Sequence, residues 1–106
     1  MKKIMLCCSA GMSTSLLVRK MLDVAKERHV EVEIAAYPTN EFDEQVGGYQ
    51  VVLLGPQVKY MLPSLQKKAS AKGIPIAAID MMDYGMQRGD KVLDFAFSLI
   101  EQGHDA

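Results

Sequence analysis

Apolar residues follow two rhythms along this chain: short runs that suit strands, and three-to-four-residue spacings that suit helices. Lys3 to Cys8 is an almost unbroken apolar run closed by Ser-Ala-Gly, which predicts a strand covered on both faces. From about 13 to 28, Leu16, Leu17, Met21, Leu22, Val24 and Ala25 recur at helical spacing. Residues 31–37 alternate and read as a second strand ended by Pro38. Asn40 is placed to cap a short helix over 41–46, stopped by Gly47-Gly48. The run "YQVVLLG", 49–55, predicts a third strand, followed by a helix over 57–71 that stops at Gly73. "IPIAAID", 74–80, predicts a fourth strand. A loop with Gly85 and Gly89 leads to a last helix over 90–102, ended by Gly103.

Strands and helices alternate throughout, and the loops are short. That pattern predicts one α/β domain over residues 1–106, doubly wound, with a four-stranded parallel sheet and helices on both faces. With strand order 2-1-3-4, the order reverses between the first and third strands. Ligands of such sheets sit at that reversal, beyond the carboxyl ends of the strands. The loops that follow Cys8 and Gly55 are then neighbours at the natural site.

Composition narrows the function. Charged residues make up 24% and the net charge is −1, so no basic stripe points to nucleic acid. No apolar run approaches the roughly 18–20 residues that span a bilayer. The short apolar N-terminus lacks a signal-peptide core and reads as a first strand, so a cytoplasmic protein is expected. Two adjacent cysteines cannot build a disulfide framework, and a bridge between sequence neighbours is strained. Neither a P-loop lysine motif nor a dinucleotide fingerprint is present, and no spacing suggests a metal site. No cofactor and no metal are expected.

The chemistry concentrates in Cys8-Ser9-Ala10-Gly11-Met12-Ser13-Thr14-Ser15, between a strand end and a helix start. Small residues let the backbone turn tightly and aim successive N–H groups inward. The opening N–H groups of a helix have no partners within it, and the helix dipole adds about 0.3–1 kcal/mol for an anion. The hydroxyls of Ser13, Thr14 and Ser15 can cap the helix or bond that anion. A thiol at the mouth of the cradle feels the same field, which favours its nucleophilic thiolate form. These are the ingredients of phosphoryl transfer through a covalent intermediate. Cys7 points the opposite way in the strand and is assigned to packing.

The stretches "CSAGMSTSLL", "VVLLGPQVKYMLP" and "IDMMDYG" together resemble the enzyme IIB component of the lactose/cellobiose (chitobiose) class of the bacterial phosphoenolpyruvate-dependent sugar phosphotransferase system. The resemblance covers nearly the whole chain. It implies a small cytoplasmic domain, flavodoxin-like in its winding and transiently at the inner face of the membrane. It also implies a phosphotransferase. Cys8 would take phosphate from a phosphohistidine on the IIA component, and a sugar moved by the membrane IIC component would receive it. That sugar is expected to be a β-disaccharide such as cellobiose, chitobiose or lactose. Residues 9–15 would be the phosphate loop.

The loop also resembles that of low-molecular-weight tyrosine phosphatases, in which an Arg follows the cysteine after five residues. Thr14 stands at that position here. An Arg would clamp the phosphate bidentately and favour hydrolysis. Its absence favours a phosphocysteine that persists until a partner takes the phosphate. A phosphatase-like hydrolase and a Cys7–Cys8 dithiol protein remain the rival readings.

Other residues offer two readings each. Pro56, Gln57 and Tyr60 follow the third strand and can line the site, meet a partner, or simply open a helix. Met12 reads as a partner contact. Asp80, Asp83 and Tyr84 follow the fourth strand, where an acid could act as a general acid. That strand does not adjoin the first, so a turn or cap is the preferred role. His29 and His104 read as surface residues.

Overall fold

In the computed structural model, described for residues 1–9 and 12–105 and without the side chains of 12, 13 and 103–105, four parallel strands form one sheet in the order β2-β1-β3-β4. The strands are β1 (Lys2–Cys8), β2 (Val32–Pro38), β3 (Val51–Leu54) and β4 (Ile76–Ala78). The helices are α1 (Met12–Glu27), α2 (Phe42–Gln45), α3 (Leu62–Ala71), α4 (Met81–Gly85) and α5 (Gly89–Asp105).

Strand β1 is central, and its alternating side chains feed two cores. Ile4 and Leu6 pack with Leu17 and Met21 of α1 and with Val92, Leu93 and Ala96 of α5. Met5 and Cys7 face the other way, among Phe42, Val46, Val58, Leu65 and Ala69 beneath α2 and α3. Both faces are therefore apolar, which explains why β1 and β3 read as continuous runs rather than alternations. The Tyr37 and Tyr49 hydroxyls meet at 2.9 Å, with their rings edge to face, at the margin of the second core.

Several sequence expectations need correction. Asn40 does not cap a helix. Thr39–Glu41 forms a 3-10 turn, and α2 begins at the buried Phe42 with no side-chain cap. The helix expected over 57–71 is two pieces: a 3-10 stretch Pro56–Met61, broken at Val58 (φ −116°, ψ 18°), and then α3. Pro63 is the reason. Its ring cannot continue a helix, but its missing N–H is tolerated in a first turn, so the helix restarts there. The loop before the last helix contains α4. The last helix also runs past Gly103 to Asp105.

Three helices end in the same way. His29, Gly73 and Gln87 take positive φ (57°, 71° and 56°) just past α1, α3 and α4. The next residue's N–H then reaches back into the helix: Val30 to Ala25, Ile74 to Ala69 and Arg88 to Asp83, each at 2.9 Å. This is the left-handed stop that glycine fills most cheaply.

Candidate functional site

The carboxyl ends of the strands converge where the order reverses. In the register, Cys7 lies opposite Leu54 of β3 and Tyr37 of β2, and Cys8 opposite Pro38. The Gly55 N–H donates to the Cys7 carbonyl at 2.8 Å, which pins the peptide before Cys8 from the β3 side. A β-carbon placed on Gly55 would lie 3.5 Å from Cβ of Cys8 and 2.9 Å from Oε1 of Gln57. The two loops expected to be neighbours therefore are neighbours, and the absent side chain of Gly55 leaves room for the Cys8 and Gln57 side chains to share one corner.

Cys8 ends the strand, buried, and Ser9 turns out of it, exposed. Ala10 and Gly11 lie outside the described residues, as do the side chains of Met12 and Ser13. Helix α1 begins at Met12, four positions beyond Cys8, and carries no acid in its first turn. Nothing of that turn's own charge opposes an anion at its N-terminus. Ser15 is exposed, whereas Thr14 is fully buried.

The Thr14 hydroxyl lies 3.2 Å from the hydroxyl of Tyr84 on α4. No local pattern in the sequence predicts this pairing, since β4 does not adjoin β1. Helix α4 folds back across the sheet end, and Tyr84 becomes part of the core that holds α1. Asp80 accepts hydrogen bonds from the N–H groups of Met82 (3.0 Å) and Asp83 (3.1 Å). It caps α4, the role preferred from the sequence. The only sequence signal for α4 was an Asp at the right spacing before an unbroken "MMDYG".

The two cysteines part company. Cys7 is sealed in the α2/α3 core, and burial, with a smaller contribution from Cys8, pushes its thiol from 9.0 to about 12. It is a protonated packing group at any physiological pH. Pro56 is half-buried at the start of the 3-10 stretch. Gln57 is exposed beside Cys8, and Tyr60 points outward, 78% exposed. Among the described residues, no cluster of His, Cys, Asp or Glu is placed to hold a metal ion.

Residues 3–95 match the family of the lactose/cellobiose-specific IIB subunit of the PTS, the sugar phosphotransferase system. The chain belongs to that family. It is 48% identical over 104 residues to the galactose-specific EIIB component of Lactococcus lactis subsp. cremoris, covering 93% of this chain and 96% of that protein. It is 47% identical to the cellobiose-specific EIIB component of Lactococcus lactis subsp. lactis, with the same coverage. It is 45% identical over 100 residues to the oligo-beta-mannoside-specific EIIB component of Bacillus subtilis, covering 94% and 97%. The solution structure of a cellobiose-specific IIB component from Borrelia burgdorferi superposes with a TM-score of 0.82 at 37% identity, over 96% of this chain and 94% of that one. The lactose-specific IIB domain from Streptococcus pneumoniae shares the fold, with a TM-score of 0.84 at 22% identity, over 92% and 96%. EIIB components are phosphotransferases of sugar transport, as the resemblance implied. No helix among the described residues is long and apolar enough to cross a membrane.

Proposed function

We propose that Cys8 is the phosphoryl acceptor of this EIIB component. Its thiolate attacks the phosphorus of a phosphohistidine on the IIA component, the P–N bond breaks, and the departing imidazole nitrogen takes from solvent the proton that the thiol released on ionising. A sugar hydroxyl delivered by the membrane IIC component then attacks the phosphocysteine. The P–S bond breaks, the hydroxyl proton is lost, and the thiolate returns. The observation that carries this reading is placement: a cysteine at the carboxyl end of the central strand, four residues before a helix whose first turn bears no acid. Backbone N–H groups of residues 9–15 would hold the three phosphoryl oxygens, and the dipole of α1 would stabilise their charge.

Thr14 supports transfer over hydrolysis. Its side chain is buried against Tyr84, so the position that a phosphatase gives to a clamping Arg is closed. Gln57, beside Cys8, can donate an amide N–H to a phosphoryl oxygen or meet the donor. The protein would work in the cytoplasm, meeting the inner membrane face only through IIC. Its sugar would be a β-disaccharide such as cellobiose, chitobiose or lactose. Relatives that share 45–48% of their residues with it carry names for different sugars. We assign sugar choice mainly to the membrane component, which binds the sugar that receives the phosphate.

Incubation with phosphorylated IIA, followed by intact mass spectrometry and peptide mapping, tests the assignment. A single phosphate on Cys8 that Cys8→Ser abolishes is expected. A phosphate elsewhere, or sugar phosphorylation that survives Cys8→Ser, refutes it.

A further inference from the structure

Tyr84 stands on a short helix beyond the fourth strand, yet it is tied to both ends of the loop that follows Cys8. Among the described residues, cysteines and tyrosines aside, Thr14 is the one buried polar side chain, and its hydroxyl lies 3.2 Å from that of Tyr84. Thr14 is the third residue of α1. Its backbone N–H therefore belongs to the opening turn, where N–H groups have no partner within the helix. Whatever holds the Thr14 side chain also holds the peptide groups that would face an anion on Cys8.

The lead into α4 is anchored at the same place as Cys8. A single peptide group at the end of β3, between Leu54 and Gly55, serves both. Its N–H, from Gly55, bonds the Cys7 carbonyl at 2.8 Å, and its carbonyl, from Leu54, accepts the Ile79 N–H at 2.8 Å. From Ile79 the chain passes through Asp80, the cap of α4, to Tyr84. The loop after Cys8 is thus braced at its start by β3 and at its end by Tyr84, and both braces return to one peptide group. Tyr84 is only 8% exposed and shares its core with Leu17, Val92 and Leu93, so it is not a surface for a partner.

Resting on the carrier reading above, we propose that Tyr84 is a positioning residue for phosphoryl transfer, acting through the Thr14 hydroxyl to fix the first turn of α1 relative to Cys8. Hydrogen-bond donors stabilise developing charge best when they are fixed beforehand, so that none has to be reoriented during the reaction. Without the Tyr84 hydroxyl, the Thr14 hydroxyl competes for backbone groups of its own turn, and such bonds bend a helix locally. The opening N–H groups then lose their common aim. The 3.2 Å separation is long for paired hydroxyls, about 2.7–2.8 Å being typical, so loss of the pair slows transfer rather than abolishing it.

Single-turnover transfer from phosphorylated IIA to Cys8, followed by intact mass at rising donor concentrations, tests the assignment. The wild-type chain is compared with Tyr84→Phe, Thr14→Val, the double variant and Thr14→Ser. Tyr49→Phe is the control, because it removes a hydroxyl from the 2.9 Å Tyr37–Tyr49 pair at the other core. In Tyr84→Phe and Thr14→Val the limiting rate should fall about three- to tenfold, the scale of one hydrogen bond, with half-saturation within about twofold of wild type. The double variant should be no slower than the slower single variant, since the two hydroxyls act as a unit. Thr14→Ser, which restores the hydroxyl, should recover most of the rate lost in Thr14→Val, and Tyr49→Phe should transfer at the wild-type rate. A wild-type rate in Tyr84→Phe overturns the proposal, as does an equal loss in Tyr49→Phe or losses that multiply in the double variant. Nitrogen relaxation of the unphosphorylated chain is the second arm. The order parameters of the Ser13, Thr14 and Ser15 amides should fall in Tyr84→Phe and hold in Tyr49→Phe, and unchanged values in Tyr84→Phe also overturn the proposal. Failure of the wild-type chain to take phosphate on Cys8 would refute the carrier reading instead. The relaxation arm needs no phosphate and still decides whether Tyr84 holds the turn.

Discussion

Gly89→Ala puts the packing of α1 on α5 to a direct test. A β-carbon at Gly89 would lie 2.7 Å from the carbonyl carbon of Lys20, 2.8 Å from its oxygen and 2.8 Å from the N of Met21. All three are main-chain atoms inside α1, so no side chain can swing aside. Ordinary contact needs about 3.5 Å, and the two helices must part by roughly 0.7 Å. The seam that opens is lined by Leu17, Met21, Leu93 and Ala96, all buried. Overpacking of this kind costs about 1–3 kcal/mol, and the gain from replacing glycine at the first position of a helix offsets well under about 1 kcal/mol of it. A net loss of about 2 kcal/mol is expected, which lowers the melting temperature by roughly 10 °C in a domain of this size. Urea titration is the assay, and the midpoint should fall while the slope stays the same. Phosphate acceptance well below the melting point should persist, because the first turn of α1 lies about 8–12 Å along the axis from the clash. An alanine variant as stable as wild type would refute the close approach and the packing argument with it.

Further predictions follow from the thiols, the helix stops and the buried hydroxyl pair. The Cys7 thiol has its folded value raised to about 12 from an ordinary 9.0, so its contribution to stability is complete below pH 9 and is lost as pH rises towards 12. Relative to Cys7→Ala, wild-type stability should fall by up to about 1.4 kcal/mol per pH unit in that window, read from urea midpoints; parallel pH profiles would contradict the burial. His29→Gly and Gln87→Gly should each stabilise the chain by about 0.5–1 kcal/mol by thermal denaturation, because both positions hold positive φ; destabilisation would show that these side chains do more than occupy a turn. A double-mutant cycle of Thr14→Val and Tyr84→Phe should return a coupling of about 0.5–1.5 kcal/mol, and additive effects would mean that the 3.2 Å pair contributes nothing.

Legibility in the sequence followed the range of the interaction. The strand order and the meeting of the Cys8 and Gly55 loops were readable, because a β-α alternation leaves few topologies and the reversal point follows from strand order. The split between Cys7 and Cys8 was readable from the two-residue period of a strand alone. The restart of the helix at Pro63 is written in the sequence but outweighed by the apolar spacing around it. The Thr14–Tyr84 pair, 70 positions apart, was not readable. It depends on α4 folding back over the sheet end, and no local pattern fixes that direction. The clash that Gly89 avoids was equally hidden, since helix separation is a property of two surfaces rather than one.

The central place of β1 has a dynamic consequence. This strand is paired on both sides and roofed on both faces, so its backbone amides are released only when the whole domain opens. In hydrogen exchange the slowest amides of the molecule will be those of Met5 to Cys7, directly adjoining Cys8. A thiol anchored this way keeps its position without help from a bound partner. On the proposed function, each encounter would therefore meet the Cys8 sulfur at the same place on the sheet end.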